Sequence, residues 1–220
     1  MIIYEYGSEA APFVLIQPIQ EPDSSGIENI PEILKRHTKT KYRLLGVKVN
    51  DWNHDLSPWQ APPVFGNEPF GDGAPAFLEE ILALCGDKDK TYVIGGYSLA
   101  GLFALWASCQ TDVFAGVAAA SPSAWFPGLI DHVKAHPPKA RALYLSLGER
   151  EEISRNPVMA TVGDRIRELH DLFSKQNIPC ELEWNPGNHF SNPDIRTAKA
   201  FAWALEQLKT KKPDAKRSRR

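Results

Sequence analysis

Short apolar runs alternate along the chain with longer stretches in which apolar residues recur every three or four positions. The runs predict strands over Ile2–Tyr6, Phe13–Pro18, Tyr42–Val49, Tyr92–Gly95, Gly116–Ala120, Ala142–Leu147 and Cys180–Trp184. Several, such as FVLI, YVIGG and GVAAA, are apolar at consecutive positions. That is the pattern of strands covered on both faces, and therefore of a mostly parallel sheet. Between the runs, Ala74–Cys85 carries Phe77, Ile81 and Leu84 at helical spacing, and Val158–Gln176 carries Val162, Ile166, Leu169 and Phe173. A last helix is expected over Pro193–Leu208, with Asn192 at its N-cap and Pro193 at its first position. Its apolar stripe would be Ile195, Ala198, Phe201, Leu205 and Leu208. Strands alternating with helices define an α/β fold with helices on both faces of the sheet.

One segment breaks the alternation. Asn50 to Gly73 is rich in Pro, Gly and aromatic residues, among them Trp52, Trp59, Phe65 and Phe70. A loop this long in a compact domain is usually functional or disordered, and its aromatic rings argue against disorder. With Trp125 these rings are candidates to line a substrate cleft, Trp52 and Trp125 first. Asp51, Asn53, Asp55 and Ser57 would add polar groups among them, a mixture that suits a polar, ring-bearing or sugar-like group better than a long lipid chain.

The most informative stretch is TYVIGGYSLAGLFALWAS. A buried strand ends in Gly95-Gly96, Tyr97-Ser98-Leu99 follow, and Ala100-Gly101 open an apolar helix. This is the strand, sharp turn and helix that present a nucleophilic serine above a sheet edge. The turn strains the serine backbone and requires small residues two positions to either side, here Gly96 and Ala100. It frees the amide of Leu99 to donate to an oxyanion and aims the helix's positive end at the site. Neither the P-loop lysine nor the GxGxxG spacing of a dinucleotide-binding turn is present.

A serine hydroxyl needs a base, and the base needs an orienting acid, in the chain order Ser, acid, His for this fold. Of six histidines, His189 alone follows the last expected strand and precedes the last helix. The acid should follow the strand ALYLSL, where Glu149, Glu151 and Glu152 compete. Glu151, three positions after Gly148, is preferred, with Glu149 the runner-up. A second oxyanion donor is expected after FVLIQPIQ. Pro18 has no amide hydrogen, which favours Ile19 with Gln17 behind it. Tyr97, beside the serine, joins Trp52, Trp59 and Trp125 as a substrate-binding candidate.

Composition adds limits. The 220 residues suit one domain, 1–208, followed by a basic tail, 209–220, expected to be disordered. The net charge of −2 gives no reason to expect nucleic acid, although the tail carries seven Lys or Arg against one Asp. Cys85, Cys109 and Cys180 form no CxxC pair and suggest free thiols in a reducing compartment. No run is long enough to cross a membrane, and MIIYEYGSEAAPF lacks the features of a signal peptide, so a cytoplasmic protein is expected. Nothing calls for a metal or cofactor; His54 with Asp51 and Asp55 reads as a solvated loop.

With GGYSLAGLFALWA, SPSAWFPG, SLGEREE and PGNHF in view, the chain resembles the α/β-hydrolase superfamily, in particular the esterase branch that includes esterase D and the enterochelin esterases. The resemblance runs from about Phe13 to Leu208. It implies an α/β-hydrolase fold, an elbow at Ser98, an S-P-S-x-W segment at Ser121 to Trp125, and the acid and base at Glu151 and His189; with about 200 residues sufficing only for the core, no cap domain is expected, which departs from the family. The implied activity is hydrolysis of a small carboxylic ester through an acyl-enzyme. Acyl transfer on the same triad, or a binding module that keeps the fold without the chemistry, are the rival functions. Another departure is that Gln17-Pro18 replaces the His-Gly often found at the oxyanion strand.

Overall fold

A computed structural model describes residues 1–22, 26–64 and 66–210. The basic tail beyond residue 210 and Phe65 lie outside the described residues. The chain forms a seven-stranded sheet in the order β1-β3-β2-β4-β5-β6-β7. Its strands are β1 (Ile3–Gly7), β2 (Phe13–Ile19), β3 (Tyr42–Lys48), β4 (Thr91–Tyr97), β5 (Phe114–Ala120), β6 (Ala142–Gly148) and β7 (Cys180–Asn185). Only β1 runs antiparallel to its neighbour; the rest are parallel. All the expected strands are present, each with bounds within about two residues of those read from the pattern.

Among the described residues the helices are α1 (Ile30–His37), α2 (Trp52–Asp55), α3 (Ala74–Leu82), α4 (Leu99–Gln110), α5 (Leu129–Ala135), α6 (Val162–Lys175) and α7 (Pro193–Thr210). One face of the sheet packs with α3, α4, α5 and α6; the other packs with α1 and α7. Alternation along β4 divides the two cores, since Ile94 faces the α4 side and Val93 the α7 side. Helix α4 is apolar all round and buried from Leu99 to Cys109, as a helix wedged between sheet and outer helices must be. Phe201, Leu205 and Leu208 anchor α7 on the opposite face. Each such side chain contributes about 1.5–3 kcal/mol on burial.

Two details of the helix expectations change. The segment before α6 is a 3-10 turn over Met159–Thr161, started by the Asn156 side chain, which accepts from the Val158 and Met159 amides. Ile195, placed on the apolar stripe of α7, is 40% exposed. The neighbouring Arg196 points inward instead and is fully buried.

The long segment after β3 is structured. Asp51 caps α2 by accepting from the His54 amide, and an isolated bridge pairs Ala61 with Phe70. Glycines at 71 and 73 make room for His54, since a Cβ at either would lie 2.3 Å from its ring. Trp52 of this segment lines a cleft with Ser98 just past the carboxyl end of β4, the edge where parallel α/β sheets place their ligands.

Candidate active site

The turn between β4 and α4 puts Ser98 in a conformation that side-chain-bearing residues rarely adopt, φ +58° and ψ −119°. Such strain costs about 1–3 kcal/mol and persists where the surroundings enforce it. They do so here. The Ser98 amide donates to Ala120 O, and the Ser98 carbonyl accepts from the Leu102 and Ser123 amides. A Cβ on Gly96 would lie 2.6 Å from that of Ala100, which explains why the position flanking the turn is glycine. Leu99 is the first residue of α4, so its amide has no acceptor within the helix and stands at the positive end of the helix dipole.

His189 lies on the loop between β7 and α7. Its Nε2 is 3.0 Å from Ser98 Oγ, and its Nδ1 is 2.7 Å from Glu151 Oε2. Glu151 follows β6 and is almost wholly buried, its side chain 5% exposed. Its other oxygen, Oε1, accepts from the Gly148 amide at 2.7 Å, Ser121 Oγ at 2.8 Å and Arg196 Nη1 at 2.8 Å. Burial pushes the Glu151 carboxyl up, but the hydrogen bond and charge of His189, the Gly148 amide and the Ser121 hydroxyl outweigh it. The net effect holds the carboxyl below its usual range. Glu149, the runner-up, is exposed. Glu152 pairs instead with Arg167.

The oxyanion expectation at Ile19 meets the pairing of β2. The register pairs Ile19 with Lys48, and Ile19 O accepts from the Val49 amide. In an extended strand a residue's N–H and C=O point the same way, so both polar groups of Ile19 face β3, away from Ser98. Strand β2 stops pairing with β4 after Ile16, which leaves the following β4-facing positions unpaired. These are Pro18, which lacks an amide hydrogen, and then Gln20. Ile19 and Gln20 both line the cleft that holds Ser98.

Two cavities meet at His189 and Phe190. One, of about 260 Å³, is lined by Gln17, Gln20, Trp52 and Tyr97 together with Ser98. The other, of about 210 Å³, lies on the far side of the histidine and is lined by Trp125, Arg150, Ile153 and Met159. Trp52, Tyr97 and Trp125 are thus brought to the site. Trp59 is not: its Nε1 donates to Pro127 O, and its ring packs on Phe126 and His132. Phe70 is buried against Trp125 and Phe126. Nor do the expected polar groups gather here. Asp51 and Asn53 face a separate open cavity of about 850 Å³ around His54, while the Ser57 hydroxyl donates to Asn53 O. Gln17 and Gln20 line the cleft beside Ser98 instead.

Two participants, Phe190 and Arg196, were not singled out in the sequence, and Ser121 was noted there only as the first residue of the S-P-S-x-W segment. Phe190, 86% exposed, stands between the two cavities. Ser121, itself at φ +42°, donates to Glu151. Arg196 reaches the acid from α7. The arginine has a visible signal, for it lies in helical phase with the buried Ala200, Ala204 and Leu208.

The sheet order, the elbow after β4 and the placement of acid and histidine after β6 and β7 are those of an α/β-hydrolase-fold protein. Solved structures share the fold. The chain is similar to an IroE-like serine hydrolase from Shewanella oneidensis, with a TM-score of 0.72, 18% identity, and 93% of this chain and 75% of that one covered. It is also similar to the siderophore hydrolase EstA of Aspergillus nidulans, with a TM-score of 0.66, 20% identity, and 91% and 85% covered. A third is FphF, a fluorophosphonate-binding serine hydrolase of Staphylococcus aureus, with a TM-score of 0.60, 13% identity, and 93% and 97% covered. No family model and no curated protein sequence matches the chain.

Proposed function

We propose that the protein is a serine hydrolase that cleaves a small carboxylic ester. The observation that carries this reading is the unbroken chain from Ser98 Oγ through the His189 imidazole to Glu151, at 3.0 and 2.7 Å, with the serine on a strained elbow. Ser98 attacks the ester carbonyl while His189 takes its proton, and the Leu99 and Gln20 amides receive the oxyanion. The carbonyl re-forms as His189 returns the proton to the leaving alcohol. Water then repeats the sequence on the acyl-enzyme and frees Ser98. Glu151 holds the imidazole tautomer and balances its charge in each half. Each oxyanion donor in such a site is worth about 3–4 kcal/mol of barrier. The hydrolase activities named for the structural neighbours agree with this assignment.

The cavities flanking His189 leave room for a short acyl group on one side and a modest alcohol on the other. Trp52 and Tyr97 beside Gln17 and Gln20 suit a polar or ring-bearing group. No described helix is long and apolar enough to cross a membrane. A cytoplasmic location is supported by the unpaired Cys85, Cys109 and Cys180. Steady-state assays across acetylated sugars, short and long p-nitrophenyl esters, thioesters and amides test the assignment, with Ser98→Ala as control. Short or sugar esters should be turned over fastest and Ser98→Ala should be inactive. Turnover that survives in Ser98→Ala contradicts the mechanism, and a strong long-chain preference contradicts the substrate class.

A further inference from the structure

Arg196 is among the largest side chains fully buried in the fold, only 2% exposed, and it sits one turn into α7. An unpaired guanidinium could not be placed there without a large desolvation cost, and its partners account for its position. Nη1 is 2.8 Å from Glu151 Oε1, 3.0 Å from Ser121 Oγ and 3.1 Å from the Tyr97 hydroxyl. Nη2 donates to the carbonyls of Pro186 and Asn188, each at 3.0 Å. Those two carbonyls belong to the loop that carries His189. The loop is tied down again where the Tyr97 hydroxyl donates to His189 O at 2.7 Å. One planar group therefore grips the acid with one nitrogen and the histidine's loop with the other.

We propose that Arg196 is a positioning residue of the reaction: it balances the buried charge of Glu151 so that the acid can orient His189 without holding a proton on it, and it fixes the histidine loop in register with Ser98. This rests on the serine-hydrolase reading above. The electrostatic part follows from the surroundings. A buried carboxylate beside an imidazole favours a carboxylate–imidazolium pair, and a protonated imidazole cannot take the Ser98 proton. A permanent cation on the carboxylate's opposite oxygen makes that extra proton less favourable.

Few other charges reach the pair. From β4 it faces the Tyr97 hydroxyl, and from the turn after β5 the Ser121 hydroxyl. From the loop after β6, Arg150 borders the adjacent cavity, while Glu149 is exposed and Glu152 is paired with Arg167. On α7, Asp194 accepts from Asn29 and Lys199 pairs with Glu183. Among the described residues, Arg196 and His189 are the two cationic side chains within ion-pair distance of Glu151.

The test compares pH profiles of kcat/KM and kcat for wild type, Arg196→Gln and Arg196→Lys on a short p-nitrophenyl ester, with fluorophosphonate labelling of each. Arg196→Gln should move the acidic limb upward by about one pH unit or more. Arg196→Lys keeps the charge but not the fork. It should leave the limb near its wild-type position and lower plateau kcat by about tenfold to a hundredfold, with KM little changed. An unmoved limb in folded Arg196→Gln, or a limb displaced in Arg196→Lys, overturns the electrostatic role. Wild-type kcat in Arg196→Lys overturns the positioning role. If Arg196→Gln does not fold, the limb and plateau of Arg196→Lys decide alone. A wild-type protein that neither turns over ester nor labels defeats the hydrolase reading itself, and is thereby told apart from failure of the arginine's role.

Discussion

Replacing Glu151 by Gln tests how the acid works, because the structure dictates which way the new amide must face. Oε1 is surrounded by three donors, the Gly148 amide, the Ser121 hydroxyl and Arg196 Nη1. An amide NH2 cannot occupy that position without setting donor against donor. The nitrogen therefore goes to the Oε2 position, 2.7 Å from His189 Nδ1. It donates to Nδ1 and leaves the ring's proton on Nε2, the atom that should accept from Ser98. The base is then present in the wrong tautomer. The comparable substitution in a serine protease costs about 10⁴ in kcat; here a loss of about 10³–10⁴ is expected, or roughly 4–5.5 kcal/mol of barrier. The change also leaves Arg196 buried without its counter-charge, at a cost of about 3–5 kcal/mol in stability. A typical domain's 5–15 kcal/mol mostly survives that loss. Steady-state ester hydrolysis beside thermal unfolding separates the two effects. Folded Glu151→Gln with kcat/KM within tenfold of wild type would refute the assignment, as would an equal loss in Glu149→Gln, whose exposed side chain should matter little.

Gly96→Val should push the new side chain onto Ala100, 2.6 Å from where its Cβ must sit. About 1–3 kcal/mol of stability and most of the activity should go with the distorted elbow, read by unfolding and ester turnover. Trp59→Ala should cost about 2–4 kcal/mol through lost ring packing while leaving KM nearly unchanged; Trp52→Ala should raise KM, because Trp52 lines the cleft with Ser98. The Glu151 carboxyl titrates below its ordinary value in the folded chain. Its contribution to stability is therefore complete above the ordinary carboxyl range and is lost as pH falls through the lowered folded value. Melts from neutral to acid pH should show the gap between wild type and Glu151→Gln narrowing across that window. Burial pushes the thiols of Cys85, Cys109 and Cys180 up to about 12, so alkylation of the native protein at pH 8 should be slow and should leave activity intact.

The periodicity of apolar residues revealed the sheet because buried parallel strands carry an uninterrupted signal, and YVIGG and GVAAA are such strands. The elbow was legible for a similar reason, since the backbone at Ser98 demands small neighbours at fixed positions. What pattern could not convey is direction at a strand's end. Whether Ile19 or Gln20 turns its amide toward the serine depends on the register of β2 against β3, which is a matter of tertiary pairing. Trp59 and Trp52 look alike in a sequence, yet a hydrogen bond to Pro127 O takes one away from the cleft. Arg196 was hidden by the ordinary expectation that charged residues on a helix face water. Its partners come from β4, the turn after β5, the loop after β6 and the loop after β7, four places brought together only by folding.

The central claim is that Ser98 is a nucleophile activated by His189. Intact-mass and peptide analysis after treatment with a fluorophosphonate tests it most directly. One adduct per chain, carried by the peptide containing Ser98 and absent in Ser98→Ala and His189→Ala, is the predicted result. A wild-type chain that stays unlabelled, or an adduct that persists in Ser98→Ala, would contradict it.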